Sequence, residues 1–343
     1  MKLKTGYTPK KVFLPGVFPD DAMGIANISS MPDNLVQPFQ LENNVARGRL
    51  VRLGSSLQDI LAGHQYPEPV ATLLSEMLAL AALVSGIFKF KGTFSLQAKG
   101  DGSVGLIIVD LTSDGGLRGY AQFDGAAVSK LGDTWRANPV PHLLGNGYLA
   151  FTVDQGQDTD RYQGIVQLAG ATLADCAHNY FRESEQVDAA VKLVSRKTTS
   201  GVWRAGGLLM QKIPSEGLVL QSGDAVDEEY EDAWRRAVVL MSASREAELL
   251  DVKLHPHELL FRLFHEDGVR VFDPLLVTQR CRCSAERVET MLISFPQEEI
   301  EELKVDGVVA VTCEFCGYEY SFEGEKLKLI FDDNRRTVNA DKI

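Results

Sequence analysis

At 343 residues, 45% hydrophobic and 24% charged, the chain has the composition of a soluble globular protein, with room for one substantial core plus a smaller module, or for two comparable domains. Its formal charge of −12 is unevenly spread: residues 1–214 carry a net +1 and residues 215–343 carry −13. That acidic field repels phosphate backbones, which disfavours nucleic acid as a partner, and its self-repulsion means the C-terminal part needs something extra to stay compact.

Residues 1–40, rich in Pro, Gly, Asn and Asp with little periodicity, read as an N-terminal extension. Their start, MKLKTGYTPKK, is basic but lacks the apolar run that export needs, so a cytoplasmic protein is expected. An ordered pattern begins near Val45: VARGRLVRL alternates as a strand, Ser55 or Ser56 can cap a short helix around LQDILAG, and Pro67 opens a long apolar helix to about Phe88. That helix is the most membrane-like stretch of the chain. With Glu76 in its middle and several small residues, it reads as a buried helix, and no membrane partner is expected.

From Gly92 to Ile213 the runs GTFSLQAKG, VGLIIVDL, LRGYAQFD, YLAFTV, YQGIVQLAG and AAVKLVS read as strands, separated by Gly, Asp and Asn turns. One helix, about Thr172–Gln186, interrupts them. Strand runs with helices before and within, but no regular βαβ alternation, predict an α+β domain over residues 41–214 with a mixed sheet. Within it, Gly100-Asp101-Gly102-Ser103-Val104-Gly105 matches a dinucleotide-binding pattern, but a strand follows where a helix N-terminus is needed, so it reads as a turn. Cys176 reads as a buried structural thiol.

Residues 215–275 form an acidic helical segment. A helix near Asp227–Met241 places Tyr230, Ala233, Trp234, Ala237, Val238 and Met241 on one face, and a second from Pro256 presents Leu259, Leu260, Leu263 and Phe264 before Gly268. Neither can bury its stripe alone, so both must dock on something. His255 and His257 flank Pro256 and read, with His265, as capping or surface residues rather than metal ligands.

Four of the five cysteines fall in the last segment, residues 276–343, as Cys281-Arg-Cys283 and Cys313-Glu-Phe-Cys316-Gly317. A secreted disulfide scaffold would spread its cysteines, whereas this cluster in a Cys-poor chain points to metal in a reducing compartment. Zn²⁺ prefers four tetrahedral ligands, often two from each of two knuckles, and Cys281, Cys283, Cys313 and Cys316 supply them. Four thiolates leave no open position, so the metal is not a Lewis-acid catalyst and no enzyme is expected. The segment holds only 68 residues with few apolar ones. Structural zinc contributes on the order of 10–16 kcal/mol of apparent binding energy in small domains, more than such a core supplies. The C-x-C pair adds an option: extended residues i and i+2 lie roughly 6–7 Å apart at Cα, the upper edge of disulfide reach, so a bridge there is strained and easily reduced.

The C-x-C plus C-x-x-C-G spacing resembles the redox centre of the heat-shock protein 33 family. So do GNGYL (Gly145–Leu149), RYQGIV (Arg161–Val166), YFRESEQ (Tyr180–Gln186), LLFRLFHED (Leu259–Asp267) and VFDP (Val271–Pro274), together spanning roughly residues 42–330. The first 40 residues and an apparent insertion around Pro214–Asp227 depart from the pattern. The resemblance implies a redox-regulated, ATP-independent holdase chaperone: an α+β domain, a helical linker packed on it and a small zinc domain. On oxidation, disulfides Cys281–Cys283 and Cys313–Cys316 would replace the zinc, melt the linker and yield a homodimer that holds unfolding client proteins. Two other classes compete. A zinc-ribbon nucleic-acid or translation factor is disfavoured by the 14 Asp+Glu against 8 Lys+Arg of residues 281–343. A thiol oxidoreductase is disfavoured because Cys313 and Cys316 fall in a predicted hairpin, not at a helix start.

Overall fold

The structure is a computed structural model that describes residues 33–88, 90–155, 162–214 and 225–324. Most of the N-terminal extension, and the core of the apparent insertion at residues 215–224, lie outside the described residues. The chain divides into two compact units, one comprising Met1–Leu61 with Tyr66–Gln279, the other Arg280–Ile343 with Ala62–Gln65.

The first unit begins with an antiparallel pair, β1 (Leu35–Leu41) and β2 (Ala46–Leu53), followed by α1 (Ser55–Ala62) and α2 (Glu68–Ser85). Pro67 stands at the N-terminus of α2, where its missing N–H is not needed. Fourteen of the eighteen residues of α2 are buried, because the helix lies between two sheets and has no solvent face to be polar on. Its length and apolarity would suit a membrane, yet here they serve a protein core. Glu76 is the exception inside the apolar run, and burial, then Glu246, pushes its carboxyl up to about 7.

Next come β3 (Thr93–Gly100), β4 (Val104–Thr112), β5 (Gly116–Phe123), the short α3 (Gly125–Val128), β6 (Gly147–Asp154), β7 (Tyr162–Gln167), α4 (Leu173–Tyr180), β8 (Ala189–Lys197) and β9 (Trp203–Lys212). The glycine-rich segment predicted as a turn is the β3–β4 connection. A capping box between Thr172 and Asp175 starts α4, and a π-turn over Phe181–Glu185 carries the chain out of it to Gln186 in the left-handed region. Cys176 is buried on α4, as expected.

Three helices follow: α5 (Ala225–Ala243), α6 (Glu246–Leu250) and α7 (Pro256–Phe264), then the short strands β10 (Val269–Val271), β11 (Leu275–Leu276) and β12 (Thr278–Gln279). The first sheet runs β10-β1-β2-β9-β8, with β11 also on β1. The second runs β12-β5-β4-β3-β6-β7, antiparallel except for β12 on β5. This is an α+β architecture of mixed sheets and helices.

The first sheet is covered on both faces. Val36, Val51, Leu53, Ala205 and Leu209 point to the α2 side, while Phe39, Leu41, Leu50, Leu208 and Met210 meet the stripe of α5–α7. Trp234, Ala237, Met241, Leu259, Leu260 and Phe264 are all buried there, with Tyr230, Ala233, Val238 and Leu263 half-buried at the margin. Two strands of this sheet escape the alternation rule. Strand β1 is already in place from Leu35, ahead of the ordered pattern expected near Val45, and β9 is not among the strand runs read from the sequence. Strands buried on both faces lose the polar–apolar alternation that identifies half-buried ones.

The second unit holds α8 (Ala285–Ile293), α9 (Gln297–Glu302) and the hairpin β13 (Val308–Thr312) with β14 (Glu319–Glu323). Ser284 caps α8 by accepting from the Arg287 N–H at 3.3 Å. Among the described residues its fully buried apolar side chains are Leu292, Ile300, Val309 and Phe322.

Candidate metal centre

Cys313 and Cys316 sit on the turn joining β13 to β14. The Gly317 N–H donates to Cys313 O at 2.8 Å and the Cys313 N–H to Tyr318 O at 2.8 Å, a tight knuckle. Gly317 adopts φ 71°, which a side chain would strain. Cys281 and Cys283 come from the extended segment just before α8, where the Arg287 guanidinium donates to Arg282 O at 2.6 Å and braces the C-x-C loop. The two pairs converge. All four Sγ atoms lie within 4.8 Å of one another, with Cys281–Cys313 at 3.6 Å and Cys283–Cys316 at 3.5 Å. A tetrahedron of sulfurs about 2.3 Å from one ion has edges of about 3.8 Å. A sulfur–sulfur bond is far shorter, about 2.05 Å, and the described cysteines are all free thiols.

The electrostatics of the cluster call for a cation. Burial pushes the Cys316 thiol up to about 12, and burial also raises Cys283. Burial opposes ionisation of Cys281 as well, but a backbone hydrogen bond from Cys283 and the neighbouring thiols outweigh it and leave Cys281 at about 7. Four thiolates at these distances repel one another, and a bound divalent ion is what makes that state favourable. The donor set is soft and complete, which fits a structural metal.

One contributor has no signature in cysteine spacing. The Tyr320 hydroxyl, on β14, hydrogen-bonds the Cys283 sulfur, which raises its own ionisation above the usual tyrosine range. Only the register of the hairpin, which pairs Tyr320 with Val311, carries it there. The histidines stay out of the cluster. His255 caps α7, its Nδ1 accepting from the His257 N–H at 3.0 Å, as predicted, whereas His257 packs inward rather than to the surface.

Fold and site together define a two-sheet α+β protein carrying a separate, cysteine-clamped module able to hold a metal ion. The family model described as "Hsp33 protein" matches residues 34–323. A 33 kDa chaperonin of Caulobacter vibrioides is 42% identical over 303 residues, covering 87% of this chain and 98% of that protein. Another from Pseudomonas fluorescens is 36% identical over 309 residues, covering 89% and 96%. The crystal structure of the 33 kDa chaperonin from Thermotoga maritima superposes with a TM-score of 0.73 at 20% identity, over 89% of this chain and 99% of that one. The chain belongs to the Hsp33 family.

Proposed function

We propose that the protein is a redox-regulated, ATP-independent holdase chaperone of the cytoplasm, with one Zn²⁺ held by Cys281, Cys283, Cys313 and Cys316 in the reduced state. The observation that carries this reading is the pairing of a four-thiol cluster with a module whose described core is four buried apolar residues. Such a module depends on its metal for order, so oxidising the ligands removes its main source of stability.

The step balances as two dithiol oxidations. Each of the pairs Cys281–Cys283 and Cys313–Cys316 loses two electrons to one hydrogen peroxide, which takes up two protons and leaves as two waters, and Zn²⁺ departs as its ligands disappear. The acidic field of residues 215–343 then favours disorder. Undocking of α5–α7 would bare the apolar surface at Phe39, Leu50, Leu208 and Met210 for unfolding clients, and the activated form is read as a homodimer. The division follows as residues 41–214 for client binding, 215–275 as the linker and 276–343 as the switch.

The test is zinc stoichiometry, free-thiol count and protection of an aggregating client before and after peroxide with mild heating. The expected result is loss of one zinc and four thiols together with gain of protection. An oxidised, zinc-free protein that lets the client aggregate would overturn the reading. Salt-sensitive RNA binding would instead favour a zinc-ribbon factor, against which the acidity of the module already weighs.

A further inference from the structure

Besides the ion pairs of Lys212 with Glu231 of α5 and of Arg196 with Glu246 of α6, three further polar side chains on the face of the first sheet that meets α5–α7 each bond a different helix. Lys192 of β8 donates to Ser242 O at 2.8 Å and to Ser244 O, at the C-terminal end of α5. Arg52 of β2, 5% exposed, donates from Nε to Leu249 O at 3.0 Å, from Nη2 to Glu248 O at 2.9 Å and from Nη1 to Leu254 O, at and just beyond the end of α6. Gln37 of β1, 1% exposed, faces His257 of α7 through Oε1 at 3.0 Å from Nε2.

This placement does what apolar contact cannot. Burial of apolar area has no direction, so the stripes alone would let the helices slide along the sheet. Carbonyls at a helix end are fixed points without helical partners, and they sit at the negative pole of the helix dipole, where a cation is favoured. Helix α6 has five residues, too few to be stable alone. Its end comes down beside Gly206, which pairs with Arg52 across β2 and β9, and a Cβ at Gly206 would lie 3.2 Å from Leu249 O.

We infer that Gln37, Arg52 and Lys192 are positioning residues that fix the docking of α5–α7 in register on the sheet, with Arg52 the dominant one. Its link to chaperone activity rests on the function proposed above; the docking itself does not. Arg52→Met leaves up to three main-chain carbonyls short of their donor while keeping most of the apolar stem.

The test is amide hydrogen exchange on the reduced, zinc-loaded full chain. Arg52→Met is expected to speed exchange in α5–α7 roughly 100-fold or more, with β3–β6 at wild-type protection and zinc still one per chain; Arg52→Lys, which lacks the planar fork, restores it only in part. Lys192→Met, at a half-buried position, is expected to give about a tenfold effect centred on α5, and keeps the inference testable should Arg52→Met not fold. Unchanged exchange in α5–α7, or an equal rise in β3–β6, overturns it. Reduced Arg52→Met should also protect an aggregating client without oxidant. If oxidised wild-type protein fails to protect, the holdase reading falls while the exchange data still decide the docking.

Discussion

Helix α2 and the hairpin β13–β14 show two ways of holding a chain together. Around α2, Leu73, Leu74, Met77 and Leu78 have no solvent exposure and are enclosed by strands of two sheets. Around the hairpin, Val309 and Phe322 find Leu292 and Ile300, and the neighbours packed on these four, Val288, Ile293, Val311 and Tyr320, are only partly buried. The first arrangement responds to volume and polarity, the second to the chemistry of four sulfurs. The redox switch proposed above would need both, because burial of hydrocarbon has no redox chemistry and thiolate–metal bonds do.

The sharpest way to break this contrast is to take away the metal. Chelation of the reduced protein is expected to remove an apparent stabilisation on the order of 10–16 kcal/mol from the module, enough to unfold it. Amide exchange should then be fast throughout α8, α9 and β13–β14 and unchanged in β3–β6. A metal-free module that keeps its protection would sink the idea that sulfur ligation supplies its order.

The converse change is a cavity in the sheet unit. Leu78 packs against Gly119 of β5. Leu78→Ala should lower the stability of that unit by about 2–5 kcal/mol in urea unfolding while zinc stoichiometry stays the same. Loss of zinc alongside would mean that the two units are not independent in this sense.

Acid offers a smaller test on the sheet unit. Burial, and then His255, holds the His257 imidazole at about 4; burial, and then Arg52, also lowers His255, against which Glu258 works in the other direction. A histidine whose folded pKa is depressed contributes stability that is present above its unfolded value of about 6.5 and is lost as the pH falls towards 4. Between pH 7 and 5 the sheet unit should lose about 1–2 kcal/mol through His257. His257→Gln, compared with wild type by urea unfolding at both pH values, should show a shallower slope; equal slopes would assign the acid response elsewhere.

Much of this could be read from residues alone, for identifiable reasons. The Cys281-x-Cys283 and Cys313-x-x-Cys316 pairs are legible because metal ligation needs few residue types at short spacings. The stripe of α5 and α7 is legible because those helices keep a wet face and hence a period. Strands β1 and β9 are not: Gln37, Pro38 and Gln40 interrupt one, Gly206 and Gly207 the other, and both are covered on two sides. Nor does any spacing rule reach Tyr320, which meets Cys283 only through hairpin pairing.

By itself the sequence determined the two cysteine pairs that the structure gathers into one cluster, the acidic bias of the last third, the apolar core helix and the amphipathic stripes, since each is a property of residue type and local period. The tertiary structure decided that the first sheet is buried on both faces, and that Arg52 and Lys192 end on main-chain carbonyls at and just beyond the ends of α6 and α5. The physical reason is that a hydrogen bond between residues some 50 to 200 positions apart depends on where the fold brings a carbonyl, and a carbonyl is the same atom in every residue.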